Sequence, residues 1–301
     1  MPDHQTESVK ELNSWYILTM GLPKVSEPLV LAPGVSLRSI GEPITVFDLA
    51  AAGAVGFRGW STLEPIAPAC KCEIESVLDA NVTPGYDILN RAWLASTLLV
   101  LRGFTHHLSV ACSSYSWQKI AGYQRKHCDD LPLFTGKLLD FHLKILSDGK
   151  TQPTQVTQDD AQWVYSHFDT FNALATESES FRFALEAATG WRYNNDPRSA
   201  VAQLWAGIEA VFGVSSELVY RISLLSASLT RPKGAERKRR FDEVKKLYGM
   251  RSKIVHGDKL SKKKIYYAVA MSSELLRDLL LLAVERGHML GKKDFDEAVF
   301  Y

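Results

Sequence analysis

Residues 241–257 read FDEVKKLYGMRSKIVHG, and this stretch decides how the second half of the chain is organised. At about 100° per residue, Phe241, Val244, Leu247, Tyr248, Ile254 and Val255 fall on one apolar stripe. The segment therefore reads as an amphipathic helix, Phe241–His256. Arg251 falls in the middle of that stripe. A guanidinium on a buried face is costly unless it is paired or faces a wet cleft. Two arrangements meet that condition: a buried ion pair with a carboxylate such as Glu209, or display at a site. His256 follows about 140° further round the helix, so in a straight helix the two side chains would diverge. Gly257 suits the left-handed residue that ends a helix. His256 then stands in the last turn, where the chain bends, its ring can swing back, and the helix dipole favours a cation.

The segments around this helix share its texture. Asp196-Pro197 opens a helix as N-cap and first residue. In it Val201, Leu204, Trp205, Ile208, Val211 and Phe212 recur at helical spacing, and Gly213 ends it. Leu218, Ile222, Leu225 and Leu229 make the next stripe, and Arg231-Pro232-Lys233-Gly234 is a turn. Ser261 caps a further helix running through Ile265, Val269, Leu275, Leu276, Leu279 and Ala283 to about Arg286. Thr157 with Asp160 opens the series like a capping box, with Asp in place of the usual Glu. Amphipathic helices joined by short loops make a helical bundle, here expected over 157–301.

Residues 1–150 read differently. Trp15–Met20, Pro28–Leu31, Val35–Ile40, Lys71–Val77, Leu108–Ser113 and Leu138–Ile145 are short, β-branched or alternating, and punctuated by Gly and Pro. Tyr86–Arg102 alone has helical spacing, with Gly103 just past its end. The expected class is α+β: an N-terminal mixed domain with a β-sheet and at least one helix, then an all-α bundle. The polar stretch 147–157, SDGKTQPTQVT, is the expected linker.

Composition narrows the functions. The chain has 301 residues, 46% hydrophobic and 23% charged, which excludes disordered and fibrous classes. Four cysteines (Cys70, Cys72, Cys112, Cys128) and a polar N-terminus without a signal-peptide pattern point to a soluble protein of a reducing compartment, expected to be cytoplasmic with no membrane partner. The net charge of +1 hides an asymmetry. Between Arg231 and Lys264 there are 14 Lys and Arg against four Asp and Glu, a net of +10, while the remainder sums to −9. Such a segment is a polyanion footprint or a solvated helix face.

Arg251-Ser-Lys-Ile-Val-His256 is an Arg-x4-His motif that resembles the HEPN superfamily. With Ala202–Phe212 (AQLWAGIEAVF), a Leu/Ser-rich helix, and Leu247-Tyr248 ahead of RSKIVHG, it is similar to the Apea-like HEPN branch. The resemblance covers roughly Thr157 to Arg286. It implies a metal-independent endoribonuclease of prokaryotic defence or toxin type, needing no cofactor. Such domains dimerise so that two Arg/His pairs face one cleft, and an antitoxin or trigger protein is an implied partner. RNA supplies its own 2′-OH nucleophile. His256 would act as general base or acid, and Arg251 would stabilise the phosphate oxygens. Tyr248 and Glu209 would support them. Ser252 stands where active members often carry Asn, Asp or His, but it can still hydrogen-bond phosphate. Lys253, Lys259, Lys262, Lys263 and Lys264 would track an RNA backbone.

A second reading makes the bundle a catalytically silent module for dimerisation or for RNA or nucleotide binding, with residues 1–150 as sensor or target-binding domain. Arg251 paired within its own chain and His256 buried would favour it. A zinc set from Cys70, Cys72, Cys112, Cys128, His106, His107 and His127 fits no standard spacing, so no metal is expected.

Overall fold

The computed structural model describes residues 14–52, 61–77, 88–123, 136–139, 145–213 and 218–301. The class is mixed α+β, as the sequence leads one to expect. The chain forms two compact units, one of 1–142 with 152–168, the other of 143–151 with 169–301.

The first unit is built on a six-stranded antiparallel sheet of order β2-β3-β4-β1-β5-β6. The strands are β1 (Ser14–Met20), β2 (Leu29–Ala32), β3 (Val35–Ser39), β4 (Cys70–Val77), β5 (Leu108–Ser113) and β6 (Gly136–Leu138). β1 pairs on both sides and slips register near Thr19, where the Thr19 hydroxyl donates to the Cys72 carbonyl at 2.8 Å. A short helix α1 (Val46–Ala52) follows β3. Helix α2 (Ile88–Arg102) packs against β4, β1 and β3 and is buried on nearly all sides from Arg91 to Leu101, as expected of a helix apolar all round. It ends at Gly103, φ +128°.

Glu73 is fully buried in β4. Its carboxylate accepts from the Ser116 hydroxyl at 2.8 Å and the Trp117 amide at 2.7 Å, anchoring the short helix α3 (Trp117–Ile120) to the sheet. Of the expected strand Leu138–Ile145, Leu138 ends β6, and 140–144 lie outside the described residues, as do Trp60, His127, Cys128 and His142.

Helix α4 (Gln158–Glu177) begins with the expected box: Asp160 accepts from the Thr157 amide and hydroxyl, and Thr157 Oγ1 accepts from the Asp160 amide. Burial alone would raise the Asp160 carboxyl. The hydrogen bonds from Thr157 and Arg102 outweigh it and hold the group below the usual carboxylate range. The first half of α4, to Phe168, falls in the first unit, and residues 143–151, which include part of the polar stretch, fall in the second.

The second unit holds α5 (Glu179–Gly190), α6 (Pro197–Phe212), α7 (Leu218–Thr230), α8 (Ala235–Val255), α9 (Lys262–Arg286) and α10 (Lys292–Phe300). Here α6 packs against α5, α8 and α9, and α7 against α8 and α10. Asp196 caps α6 by accepting from the Arg198 amide, and Gly213 ends it at φ +58°. Gly207, mid-helix, lets α6 approach closely: a Cβ there would lie 2.8 Å from both Ala187 Cβ and Leu276 Cδ2.

Helix α8 starts six residues before the expected Phe241. Ala235–Arg240 lack the apolar period but are strong helix formers, so propensity and the preceding Pro232 turn extend the helix. Ser261 occupies the N-cap of α9 without a side-chain capping bond. α10 is too short for a periodicity signal; Phe295 seats it against Phe212, ring centroids 5.9 Å apart.

Candidate nucleic-acid site

The stripe on α8 is buried where it was expected to be at Val244, Leu247, Tyr248 and Ile254. Val255 departs from it, being exposed because it is the last helical residue. Arg251 enters the seam between α8 and α6. Its Nη2 stands 3.2 Å from Glu209 Oε1, with both side chains about three-quarters buried. The pair is a charge contact rather than an aligned hydrogen bond, since Glu209 Oε1 and Arg251 Nε are each buried without a hydrogen-bond partner. The guanidinium carbon lies 5.5 Å from the Tyr248 ring centre, and Tyr248 meets Trp205 edge-on at 5.1 Å. Trp205 and Glu209 are one turn apart on α6; Tyr248 and Arg251 are one turn apart on α8. The four make a continuous string across the helix crossing. The Trp205 indole N–H is also buried without a partner.

His256 closes α8. Its backbone lies at φ −80°, ψ 2°, and its amide bonds to the Ser252 carbonyl at 3.0 Å. Gly257 follows at φ +83°, its amide bonding to the Ile254 carbonyl at 3.2 Å, and the Asp258 amide bonds to the Lys253 carbonyl at 2.9 Å. Those two bonds are a Schellman cap, the helix stop that Gly257 predicts. The His256 side chain is exposed.

Sequence reasoning missed Arg198. From the second position of α6, its Nη1 donates to the Ile254 and Asp258 carbonyls, each at 3.3 Å, and its Nη2 to Asp258 at 3.2 Å. A cation is thus placed on the carbonyl end of α8, where the helix dipole favours it. The bonds straddle His256 and tie it to the start of α6. Nothing in the local pattern marks this residue, because its partners are backbone carbonyls 56 and 60 residues away.

Arg240 was missed as well, although it falls on the same stripe as Arg251, three turns earlier. It is buried, 3.7 Å from both Glu243 and Asp278. Burial raises the Asp278 carboxyl above its ordinary value despite Arg240 beside it. So α8 carries two arginines into the bundle, one facing α6 and one α9.

The +10 segment divides into two parts. In the upstream part Lys238 pairs with Asp242, Arg239 with Glu243, and Arg240 with Glu243 and Asp278. Arg237 and Lys233 donate to carbonyls at the end of α10. Lys253, Lys259, Lys262, Lys263 and Lys264 are exposed, and none has an ion pair among the described residues. Exposed lysines without an ion pair among the described residues thus flank the α8–α9 connection that holds His256, with Lys245 and Lys246 two further ones in the middle of α8. Ser252, on the last turn of α8, is half-buried.

Elsewhere Cys70, Cys72 and Cys112 are buried free thiols, and burial pushes Cys70 up to about 12 and Cys72 to about 11. Among the described residues no three His, Cys, Asp or Glu side chains gather as a metal site. No helix among them is long and apolar enough to cross a membrane. Comparison with protein-family models, with curated proteins and with solved structures finds no match to this chain.

Proposed function

We propose that the C-terminal bundle is a metal-independent endoribonuclease of HEPN type, acting in defence or a toxin-like response, with Arg251 and His256 as its catalytic pair. The observation that carries the reading is a buried-seam arginine five residues ahead of an exposed histidine at the capped end of the same helix. Five exposed lysines on or flanking the α8–α9 connection make no ion pair among the described residues. The chemistry follows from the residue types. A phosphodiester entering at the end of α8 meets Arg251 as a charge-assisted donor to its nonbridging oxygens. His256 takes the proton of the 2′-OH or returns one to the leaving 5′ oxygen. The P–O bond to the 5′ oxygen breaks as the bond from the 2′ oxygen forms, leaving a 2′,3′-cyclic phosphate and a 5′-hydroxyl. A homodimer through the bundle would bring two such pairs to one cleft, with an isologous interface.

One observation favours the silent-module reading: Arg251 is already engaged by Glu209 of its own chain. His256, being exposed, lies on the side of the active reading. Incubation of the purified chain and of Arg251→Ala and His256→Ala with total RNA in excess EDTA decides between them. Light scattering at tens of micromolar decides whether the bundle dimerises.

A further inference from the structure

Two tyrosines at the start of α9 are about half exposed. Tyr266 and Tyr267 are 44% and 49% exposed, and neither ring has a stacking, cation–π or hydrogen-bond partner among the described residues. Several other large aromatics of the bundle are paired, Trp205 on Tyr248, Phe212 on Phe295 and Phe171 on Phe181, while Phe183, Phe300 and Tyr301 are exposed like the two tyrosines but have no neighbouring pair of lysines one turn before them. Side chains four residues apart share a helix face, so Lys262 stands one turn before Tyr266 and Lys263 one turn before Tyr267. The buried side of the same turns is Ile265, Ala268 and Val269. Each pair thus sets a cation and a bare ring about 6 Å apart along the helix axis, a distance a nucleotide spans from phosphate to base.

We propose that Lys262, Lys263, Tyr266 and Tyr267 form a stacking platform for single-stranded RNA, the tyrosines taking unpaired bases and the lysines their phosphates. The proposal deepens the nuclease reading and rests on it for the choice of RNA. A duplex hides its base faces in its own stack, so a ring platform selects single strands, whereas lysines alone would accept either form. The six residues His256–Ser261 join the platform to the end of α8. A strand held there is delivered to His256 with its 2′-OH groups unconstrained by pairing.

The test uses the full chain and a fluorescent 12-nucleotide 2′-O-methyl oligonucleotide, single-stranded or annealed to its complement. This probe has no free 2′-OH, so binding is read whether or not the chain is a nuclease. The single strand should bind more tightly than the duplex. Tyr266→Ala with Tyr267→Ala should weaken single-strand binding about 30-fold or more while leaving the salt dependence unchanged. Tyr266→Phe with Tyr267→Phe, which keeps both ring faces, should retain affinity. Lys262→Gln with Lys263→Gln should reduce the log–log salt slope by about 1.4, at about 0.7 per phosphate contact. Unchanged affinity in the double alanine variant, loss in the double phenylalanine variant, or preference for duplex would overturn the platform. So would a fall in oligomeric mass on tyrosine substitution, which would make this face a protein interface. If the platform holds while Arg251→Ala still cuts RNA, it is the catalytic assignment that fails.

Discussion

Arg251 Nη2 and Glu209 Oε1 are 3.2 Å apart across the α6–α8 crossing, yet they share no aligned hydrogen bond. An arginine so held is neutralised but not saturated. A phosphate offers the same charge with more acceptor positions, and it competes directly with Glu209. Glu209→Gln should therefore tighten binding of a non-cleavable RNA several-fold. It should cost about 1–3 kcal/mol of stability, because the pair is about three-quarters buried and Gln leaves the guanidinium without its counter-charge. Weaker RNA binding in this variant, with the fold intact, would show that Glu209 positions Arg251 rather than occupying it.

Arg198 fastens the end of α8 through three hydrogen bonds to carbonyl oxygens. Arg198→Ala should cost about 1–2 kcal/mol, within the range of bonds to a charged donor. The Gly257 and Asp258 amides, which close the cap, should then exchange faster with solvent. Arg198→Lys should recover only part of the loss, since an ammonium lacks the planar fork. Unchanged exchange at Gly257 and Asp258 would remove Arg198 from the support of His256.

Much of this was legible in the sequence because it is local. Strands β1 to β5 announced themselves by short β-branched or alternating runs, whereas β6 shares only Leu138 with the expected strand; α6 was marked by Asp196-Pro197 and its apolar period, and the end of α8 by Gly257. The position of Arg251 on a buried stripe followed from helix geometry, which left open an ion pair with a carboxylate such as Glu209 or display at a site; the structure shows the contact with Glu209. What stayed hidden depends on distant partners. Arg198 bonds to backbone 56 and 60 residues away, Arg240 finds Asp278 on another helix, and Glu73 meets Ser116 and Trp117 across 43 and 44 residues. The charge count also misled in one respect. The +10 segment reads as uniform along the chain, but Lys238, Arg239 and Arg240 are engaged in ion pairs and Lys233 and Arg237 at a helix end, whereas Lys245, Lys246 and the downstream lysines are exposed with no ion pair among the described residues.

Gly207 is a point of close approach between α6 and its neighbours, where a Cβ would lie 2.8 Å from both Ala187 and Leu276. Gly207→Ala gains helix propensity but forces those helices apart, and overpacking of this kind costs about 1–3 kcal/mol. The denaturation midpoint should fall with the slope unchanged. A rise in midpoint would mean the helices shift apart without penalty.

Glu73 links the first unit to pH. Burial pushes its carboxyl up to about 7 against the opposing hydrogen bonds from Ser116, Gln118 and Trp117 and the charge of Arg38. The folded state therefore binds the proton more tightly than the unfolded chain, whose carboxyl titrates near its ordinary value. The stabilisation is complete below about pH 4.5 and is lost as pH rises through about 7. Glu73→Gln, neutral at every pH, should flatten the stability profile of this unit between those limits and exceed the native chain above pH 7. A native profile with no slope in that window would show that Glu73 stays ionised throughout.

The central claim is that Arg251 and His256 cut RNA, and product chemistry tests it most directly. The native chain, incubated with RNA in excess EDTA, should yield fragments with 2′,3′-cyclic phosphate (or the derived 3′-phosphate) and 5′-hydroxyl ends. Arg251→Ala and His256→Ala should each lower the rate by about 10²–10⁴-fold. The double variant should be little worse than either single one, because both groups act on one transition state. Cleavage of a substrate with 2′-deoxyribose at the scissile nucleotide, abolition by EDTA with rescue by magnesium, or full activity in Arg251→Ala would contradict the account.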